Sequence, residues 1–322
     1  MRPTRLLRSA ALAGSLALTA TTLVATAAVP ATATASPAAL ECRDSGSAAR
    51  VREGATAKEP KLYPDNQANQ YGLITDLPTL PAGSVHIETI FHIITATAPT
   101  AAERTRLQGM VDAQMQVLND SYSGATAPDA ADTPFRFDLT ATNFVTSQAW
   151  ANVAPGKAER DMKAALHVGD SETLNVYAAD IGGGLLGWAY FPKGYNNGRD
   201  FIDGVVILDE SMPGGVNPDT GLPWKYGLGD TLTHEVGHWL MLEHTFAHGC
   251  SAVNDGVADT PREAYPQFDC PVGADTCGAP GVDPIHNFMD YTQDSCMDMF
   301  TPGQAKRMSD AYIDFRDPTA GS

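Results

Sequence analysis

The feature that most constrains this 322-residue chain is the motif H-E-x-x-H, which a third histidine follows six residues after the second. In a helix, residues i and i+4 share a face, so His234 and His238 can direct two imidazoles at one metal ion. His244 offers a third nitrogen, and Glu235 stands beside them to hold a water molecule as general base. Three nitrogen ligands with one position left to water are typical of catalytic zinc. The alternative, an amphipathic helix with surface histidines, is disfavoured by the third histidine.

The chain is acidic, with 38 Asp and Glu residues against 21 Lys and Arg residues and a formal net charge of -17. This balance argues against nucleic acid and against anionic membrane surfaces as partners, because both are negatively charged. The length allows one large domain or two ordinary ones. We expect protein or peptide substrates, and no feature of the sequence fixes the oligomeric state.

Residues 1–35 have the pattern of an export signal. Arg2, Arg5 and Arg8 precede an apolar run rich in Ala and Leu, and small residues at 31–36 offer cleavage sites. The run is only weakly hydrophobic and lacks a stop-transfer flank, which disfavours a membrane anchor. The sequence therefore predicts a secreted protein.

Residues 36–60 lack periodicity and are rich in Ala, Pro, Ser and charge, which is typical of a prosegment, and we place the catalytic domain at 61–322. Arg50 and Arg52 are basic positions at which a protease could cut. Cys42 is the lone cysteine of the segment, and its thiolate has the chemistry to occupy the open zinc position and silence the proenzyme. An unpaired or intermolecularly paired cysteine is the alternative.

Strand and helix patterns alternate through the middle of the chain. Beta-branched, partly alternating stretches predict strands, and apolar residues at helical spacing predict helices. Strands are expected at 85–95, 135–145 and 174–178, and helices at 101–122, 157–167 and 301–315. This order predicts an α+β fold in which helices pack on a mixed sheet.

Two further runs, 182–192 and 204–208, are predicted to form an edge strand and its neighbour. An exposed edge just ahead of the zinc helix can pair with an extended peptide by strand addition. A covered edge strand is the alternative, and both interpretations stay open at the level of sequence.

Four cysteines, Cys250, Cys270, Cys277 and Cys296, lie in the last quarter of the chain, after the zinc motif. In an exported protein such a set predicts two disulfides in one of three pairings. A second zinc held by thiolates is disfavoured, because no C-x-x-C pair is present. The same stretch is loop-rich and acidic, so its carboxylates suit calcium, with a solvated acidic loop as the alternative.

These segments together resemble the metzincin clan of zinc endopeptidases and, within it, the pappalysin family. The resemblance is carried by HEVGHWL from His234, HTF from His244, GVADTP from Gly256 and NFMDY from Asn287, and it extends over about 81–315. It implies a metzincin-like catalytic domain with a mixed five-stranded sheet, backing and active-site helices, and a loop-rich, disulfide-bonded C-terminal subdomain. It also implies hydrolysis of internal peptide bonds.

The resemblance assigns roles to individual residues. It implies zinc held by His234, His238 and His244, with Glu235 as base. Tyr291 would stabilise the oxyanion, and Met289 would form an apolar floor beneath the metal.

The resemblance also bears on the loops and on the prosegment. It implies disulfides Cys250–Cys277 and Cys270–Cys296, and calcium near Asp255, Thr260 and Glu263. Family members carry an inhibitory prosegment, which favours Cys42 as a cysteine switch.

The chain departs from the family pattern at Met241, where the family has glycine. That glycine lets the chain turn sharply after the helix and return the third histidine to the metal, at a place where a Cβ is costly. Methionine would hold the left-handed geometry at about 1–2 kcal/mol. A downstream glutamate, Glu263, is the alternative third ligand, and we favour His244.

Asp294 falls in the stretch that would line the pocket for the residue after the scissile bond. A buried carboxylate there would favour Arg or Lys, whereas an exposed loop acid is the alternative. We therefore expect a zinc endopeptidase that cuts before Arg or Lys. The rivals are a non-catalytic zinc-containing binding module on a protease fold, disfavoured by the intact Glu235, and a zinc amidase acting on cell-wall peptides, disfavoured by the NFMDY segment.

Overall fold

The computed structural model describes residues 47–61, 76–192, 200–317 and 319. The predicted export signal and Cys42 lie outside these residues. Within the described part of the chain, no helix is both long enough and apolar enough to cross a bilayer.

The described residues form one six-stranded mixed sheet. Its strands are β1 (Ala49–Val51), β2 (Val85–Thr95), β3 (Phe135–Thr146), β4 (Leu174–Ala179), β5 (Leu185–Ala189) and β6 (Val205–Leu208), in the order β1-β5-β6-β4-β2-β3. The last four of that order run parallel, β5 is antiparallel to β6, and β1 is antiparallel to β5. Strands β2 to β6 confirm the predicted five-stranded sheet, and β1 adds a sixth strand from the predicted prosegment.

Four α-helices accompany the sheet in the described ranges. They are α1 (Ala101–Tyr122), α2 (Lys157–Leu166), α3 (Asp230–Trp239) and α4 (Pro302–Phe315). Thr100 and Thr301 each begin a helix with a capping box, and Pro302 occupies the first turn of α4. Such caps satisfy backbone N–H groups that have no partner inside the helix, so local sequence sets where these two helices start.

Helix α3 is buried along its whole length, from Asp230 to Trp239. Its apolar residues Leu232, Val236 and Trp239 belong to the main core, which also includes Phe288 and Met289. Burying each such side chain contributes roughly 1.5–3 kcal/mol relative to exposing it. The helix that carries the H-E-x-x-H motif is therefore packed against other residues on all sides.

A buried ion pair fixes the end of α3. The guanidinium of Arg316 donates to Trp239 O over 2.9 Å and pairs with Asp203 at 3.1 Å, while Trp239 Nε1 donates to Asp203 Oδ2 over 2.8 Å. A cation at a helix C-terminus is favoured by the helix dipole. Removing one partner of such a buried pair typically costs about 3–5 kcal/mol, because the other charge stays buried.

The loop-rich region after α3 is cross-linked by the two disulfides that the resemblance implied, Cys250–Cys277 and Cys270–Cys296. They close chain segments of nearly equal length, with sequence separations of 27 and 26. The chain-entropy model assigns each a stabilisation of about 3–4 kcal/mol. This stretch contains little regular structure, so the cross-links substitute for a larger local core.

Candidate active site

The turn after α3 brings the third histidine back. Met241 adopts φ 74°, in the left-handed region that the sequence predicted for this position. Leu242 N donates to Gly237 O and Met241 N donates to His238 O, both over 2.8 Å, which is a Schellman ending of the helix. Met241 therefore adopts the turn conformation for which the family pattern has glycine. Its buried side chain packs in a small apolar cluster that includes Ala48 and Phe191.

The three predicted ligands converge. His244 Nε2 lies 3.0 Å from His234 Nε2 and 3.0 Å from His238 Nε2. All three residues are buried. Glu263, the alternative third ligand, instead accepts a hydrogen bond from Thr245 Oγ1 over 2.6 Å.

Backbone carbonyls set the tautomers of the two helical histidines. His234 Nδ1 lies 2.6 Å from Phe288 O, and His238 Nδ1 lies 2.8 Å from Leu242 O. A carbonyl can only accept, so each Nδ1 carries the proton and each Nε2 presents its lone pair to the site. Burial lowers the pKa of His244 to about 3 and holds the pKa of His234 well below its usual range, so these imidazoles are neutral, as metal ligands must be.

This donor set fits a zinc ion. Nitrogens about 2.0–2.1 Å from a tetrahedral zinc lie roughly 3.3 Å from one another, close to the observed separations. The described residues contain one cluster of histidine, cysteine or carboxylate groups with metal-binding geometry, and it is this triad. Glu235 Oε2, buried beside it, has no hydrogen-bond partner among the described residues, so this oxygen could accept a proton from a water molecule.

Glu235 faces the edge of the sheet. Burial raises the pKa of its carboxyl well above the usual range, although Oε1 accepts a hydrogen bond from Arg50 N over 2.9 Å. A Cβ on Gly187 of strand β5 would lie 2.8 Å from Glu235 Cγ. The absence of a side chain at Gly187 is therefore what lets the carboxylate reach the strand edge.

The turn at Asn287–Tyr291 runs beneath the triad. Met289 is buried, and a Cβ on Gly237 of α3 would overlap its sulfur, so the two residues are in close contact. Asn287 and Gln304 exchange two side-chain hydrogen bonds of 2.8 and 3.0 Å, which tie the turn to α4. The turn is therefore held by contact with α3 on one side and by hydrogen bonds to α4 on the other.

Tyr291 stands beside the triad, with its ring centroid 4.8 Å from that of His244. Its hydroxyl donates to Ala49 O over 2.5 Å. Ala49 precedes Arg50, so the hydroxyl and the Glu235 carboxylate contact the two ends of one peptide bond.

Asp294 lies at the bottom of a closed pocket that the Arg50 side chain fills. Arg50 NH2 is 2.9 Å from Asp294 Oδ1, and both side chains are fully buried. The guanidinium also donates to Thr231 Oγ1 over 3.0 Å and to Thr292 O over 2.7 Å, and it lies 5.5 Å from the centre of the Tyr226 ring. The pocket thus matches the charge of arginine and accepts hydrogen bonds from both of its terminal nitrogens, while Arg50 Nε has no hydrogen-bond partner among the described residues.

Most of these pocket partners were not predicted from the sequence. Thr231 precedes His234 by three positions on the same helical face, and this spacing could have indicated it. Thr292 contributes a backbone carbonyl, and Tyr226 lies in an irregular segment, so no local pattern points to either. Tyr226, Thr231 and Thr292 become neighbours of Arg50 only in the folded chain.

The predicted calcium residues lie together in the loop region. Asp255, Thr260 and Glu263 are all buried, and burial raises the pKa of Asp255 to about 7 and that of Glu263 well above its usual range. Glu263 Oε1 and Asn254 Oδ1 have no hydrogen-bond partner within the described ranges. Buried oxygens without donors are the kind of group that a cation satisfies.

Comparisons with known proteins agree with this geometry. A family model described as pregnancy-associated plasma protein-A, of peptidase family M43, matches residues 224–313. Extracellular metalloprotease 1 of Coccidioides posadasii is 42% identical over 239 residues, which cover 72% of this chain and 78% of the relative. An extracellular metalloprotease of Verticillium alfalfae is 38% identical, covering 73% and 80%. The chain belongs to the pappalysin family of metalloproteases.

A solved pappalysin-like structure shares the fold. Mature mirolysin of Tannerella forsythia, in complex with a cleaved peptide, has 25% sequence identity and a TM-score of 0.57, covering 74% of this chain and 100% of that chain. The α+β fold and the metalloendopeptidase activity expected from the sequence are thereby confirmed for this pappalysin. These comparisons argue against the alternative that the chain is a non-catalytic binding module.

Proposed function

We propose that this pappalysin is secreted and hydrolyses internal peptide bonds of protein substrates on the amino side of Arg or Lys, with zinc held by His234, His238 and His244. The observation that carries the proposal is the fully buried ion pair between Arg50 and Asp294 in the pocket beside the triad. A pocket that offers a guanidinium one carboxylate, one hydroxyl and one carbonyl oxygen favours basic side chains over neutral ones.

The zinc ion, when bound, supplies a Lewis acid at the substrate carbonyl and lowers the pKa of water. Glu235 would take a proton from the attacking water molecule and pass it to the leaving nitrogen. Its position supports both roles, because one carboxylate oxygen is 2.9 Å from a peptide nitrogen and the other has no partner among the described residues. The raised pKa of the buried carboxyl favours a group that gains and returns a proton.

Tyr291 serves as the donor to the carbonyl oxygen of the bond being cut. Its hydroxyl already donates to a peptide carbonyl at 2.5 Å. A donor aimed at this oxygen stabilises the negative charge that develops there, an effect worth roughly 3–4 kcal/mol for one donor in other proteases.

The proposal is tested with a proteome-derived peptide library and mass spectrometry of the cleavage sites. The wild type should cut before Arg and Lys, whereas Glu235→Ala should bind a full equivalent of zinc and cut nothing. Asp161→Ala is the matched control for Asp294→Ala, since it removes one exposed carboxylate, which pairs with Lys157 in the same helix. Cuts without basic preference would remove the role of Asp294, and no cuts by zinc-loaded wild type would remove the function.

We also propose a structural calcium ion at Asp255, Thr260 and Glu263. The burial of two carboxylates and the absence of donors to Glu263 Oε1 among the described residues support it. Calcium should raise the melting temperature of wild type but not of Glu263→Gln, measured by calorimetry. Equal shifts in both would argue against this site.

The prosegment at 36–60 and the cysteine switch at Cys42 remain predictions. If the Cys42 thiolate binds the metal, the unprocessed chain loaded with cobalt in place of zinc should show a thiolate-to-metal absorption band that Cys42→Ser lacks. Identical spectra of the two chains would exclude the switch.

A further inference from the structure

Helix α2 carries a buried ion pair that the catalytic site does not use. Lys163 Nζ lies 3.1 Å from Glu159 Oε1, and the two side chains are 0% and 1% exposed. Replacing a buried ion pair by apolar residues of similar volume is often neutral or stabilising. The benefit of this pair is therefore to be sought in what its two charged groups hold in place, and not in stability alone.

The carboxylate of Glu159 fixes the end of strand β5. Trp188 Nε1 donates to Oε1 over 2.7 Å, and the Tyr190 hydroxyl, just beyond the strand, donates to Oε2 over 3.0 Å. The backbone N–H of Gly156, at the start of α2, also donates to Oε2, over 3.3 Å. Both oxygens of one buried carboxylate thus join the helix to β5 at two points.

The ammonium group of Lys163 fixes the strand next to β5. Nζ donates to Ile202 O over 2.9 Å and to Gly204 O over 3.0 Å. Gly204 directly precedes β6, which pairs antiparallel with β5. Together with Glu159, these carbonyls offer one acceptor to each of the three N–H donors of the ammonium. The ion pair therefore ties α2 to both strands, where β5 ends and β6 begins.

Strand β5 connects this anchor with the catalytic base. Gly187 precedes Trp188, so the two residues face opposite sides of the sheet. A Cβ on Gly187 would lie 2.8 Å from Glu235 Cγ. The strand is thus held by α2 through Trp188 and touches the zinc helix at Gly187. A displacement of β5 would change the distance between its backbone and Glu235.

We propose that Glu159 and Lys163 are positioning residues for substrate binding, which hold β5 where its outer edge pairs with an extended peptide beside Glu235. This rests on the proposed function. The outer edge of β5 accepts an antiparallel strand, as its pairing with β1 shows, and strand addition to such an edge is a common mode of peptide recognition. Neither Glu159 nor Lys163 touches the peptide.

The first experiment uses Tyr190→Phe, which removes one hydrogen bond to Glu159 and leaves both charges paired. Zinc-loaded enzyme is assayed on two peptides with Arg after the scissile bond, one long enough to pair along all of β5 and one limited to the residues beside the bond. KM for the long peptide should rise by about 10-fold, as for the loss of a hydrogen bond to a charged group. KM for the short peptide and kcat for both should be unchanged.

The matched control is Tyr312→Phe. The Tyr312 hydroxyl donates to Glu172 Oε1 over 2.8 Å, so this variant removes the same kind of hydrogen bond between α4 and a loop outside β5. Both peptides should keep their wild-type KM. A rise in the long-peptide KM of Tyr312→Phe equal to that of Tyr190→Phe would show a general effect on stability and would overturn the proposal.

A second variant addresses the ion pair itself. Glu159→Gln alone would leave the Lys163 charge buried without its partner, which is strongly destabilising. Glu159→Gln/Lys163→Met removes both charges together and should fold, bind a full equivalent of zinc and raise the long-peptide KM further than Tyr190→Phe does. Amide hydrogen exchange of the zinc-free chain, which needs no catalysis, should be faster than in wild type at residues 185–190 and unchanged at 230–239.

The outcomes separate this inference from the proposed function. An unchanged long-peptide KM in both variants, or an equal fall of kcat on both peptides with KM unchanged, would overturn the positioning role while wild type still cuts before Arg. Wild-type exchange rates at 185–190 in the double variant would also overturn it. Zinc-loaded wild type that cuts neither peptide would overturn the proposed function and, with it, the role of the pair in substrate binding.

Discussion

The metal triad and the arginine pocket lie on either side of one peptide bond, but they are built in different ways. The triad comes from a single stretch, residues 234–244, and two of its histidines are oriented by backbone carbonyls. The pocket is assembled from Tyr226, Thr231 and the segment Thr292–Asp294. The three histidines are therefore close in sequence, although the Phe288 carbonyl that orients His234 is 54 residues away, whereas the side chains and carbonyl that contact Arg50 come from two separate segments of the chain.

The two regions also differ in charge. Burial keeps His234 and His244 neutral, whereas the pocket holds a buried ion pair. Asp294 Oδ2 additionally accepts from Leu228 N and Gly229 N over 2.8 and 3.2 Å, so the backbone also holds this carboxylate in place. We expect changes in the triad to abolish activity and changes in the pocket to redirect it.

The largest effect is expected for His244→Ala. Loss of one of three ligands should lower zinc affinity by more than the roughly 10–100-fold that loss of an outer-shell partner causes, and peptide cleavage should disappear with the metal. Zinc content is measured by mass spectrometry after dialysis against a competing chelator. His86→Ala, which changes an exposed histidine paired with Asp138, should retain full zinc. Normal zinc content in His244→Ala would show that another residue completes the site.

A smaller and more selective effect is expected for Asp294→Ala. Truncating one member of a buried charge pair should lower kcat/KM for substrates with Arg after the scissile bond by about 100-fold. Substrates with an apolar residue there should lose little, because the triad is untouched, and zinc content should be normal. A parallel loss on both substrate classes would mean that Asp294 supports the fold of the site rather than its selectivity.

The difference in sequence separation between the residues of the triad and those of the pocket explains which parts of the site could be predicted from the sequence. The histidines, Glu235 and the bounds of the capped helices follow from spacing and capping, which act within a few residues. The pocket around Arg50 does not follow from such local patterns, because its residues lie up to 242 positions from Arg50 along the chain. The sixth strand was also missed, since β1 is a three-residue segment without a pattern, stabilised by the edge it pairs with.

The two disulfides offer a matched pair of intermediate effects. They close loops of nearly equal length, so replacing either pair by alanine should cost a similar free energy of unfolding, about 3–4 kcal/mol. Cys296 shares a short 3-10 turn with Asp294, so only Cys270→Ala/Cys296→Ala should weaken the preference for Arg. Chemical denaturation and cleavage of paired substrates measure the two quantities. If the two double variants prefer Arg equally, the 3-10 turn at Asp294 is held in place without the Cys270–Cys296 disulfide.

The smallest effect is expected at Met241, where two terms oppose each other. Met241→Gly removes a left-handed strain of about 1–2 kcal/mol but also a buried side chain, whose loss costs roughly 2–5 kcal/mol. We expect a net destabilisation of about 1–2 kcal/mol by chemical denaturation, with zinc content and kcat unchanged. Met241→Leu, which keeps both the strain and the volume, should stay within about 1 kcal/mol of wild type.

Because the turn is held by backbone hydrogen bonds from Met241 and Leu242 to α3, His244 should return to the metal whatever side chain tolerates φ 74° at this position. A loss of zinc in Met241→Gly would instead show that side-chain packing, and not the backbone alone, prepares the triad.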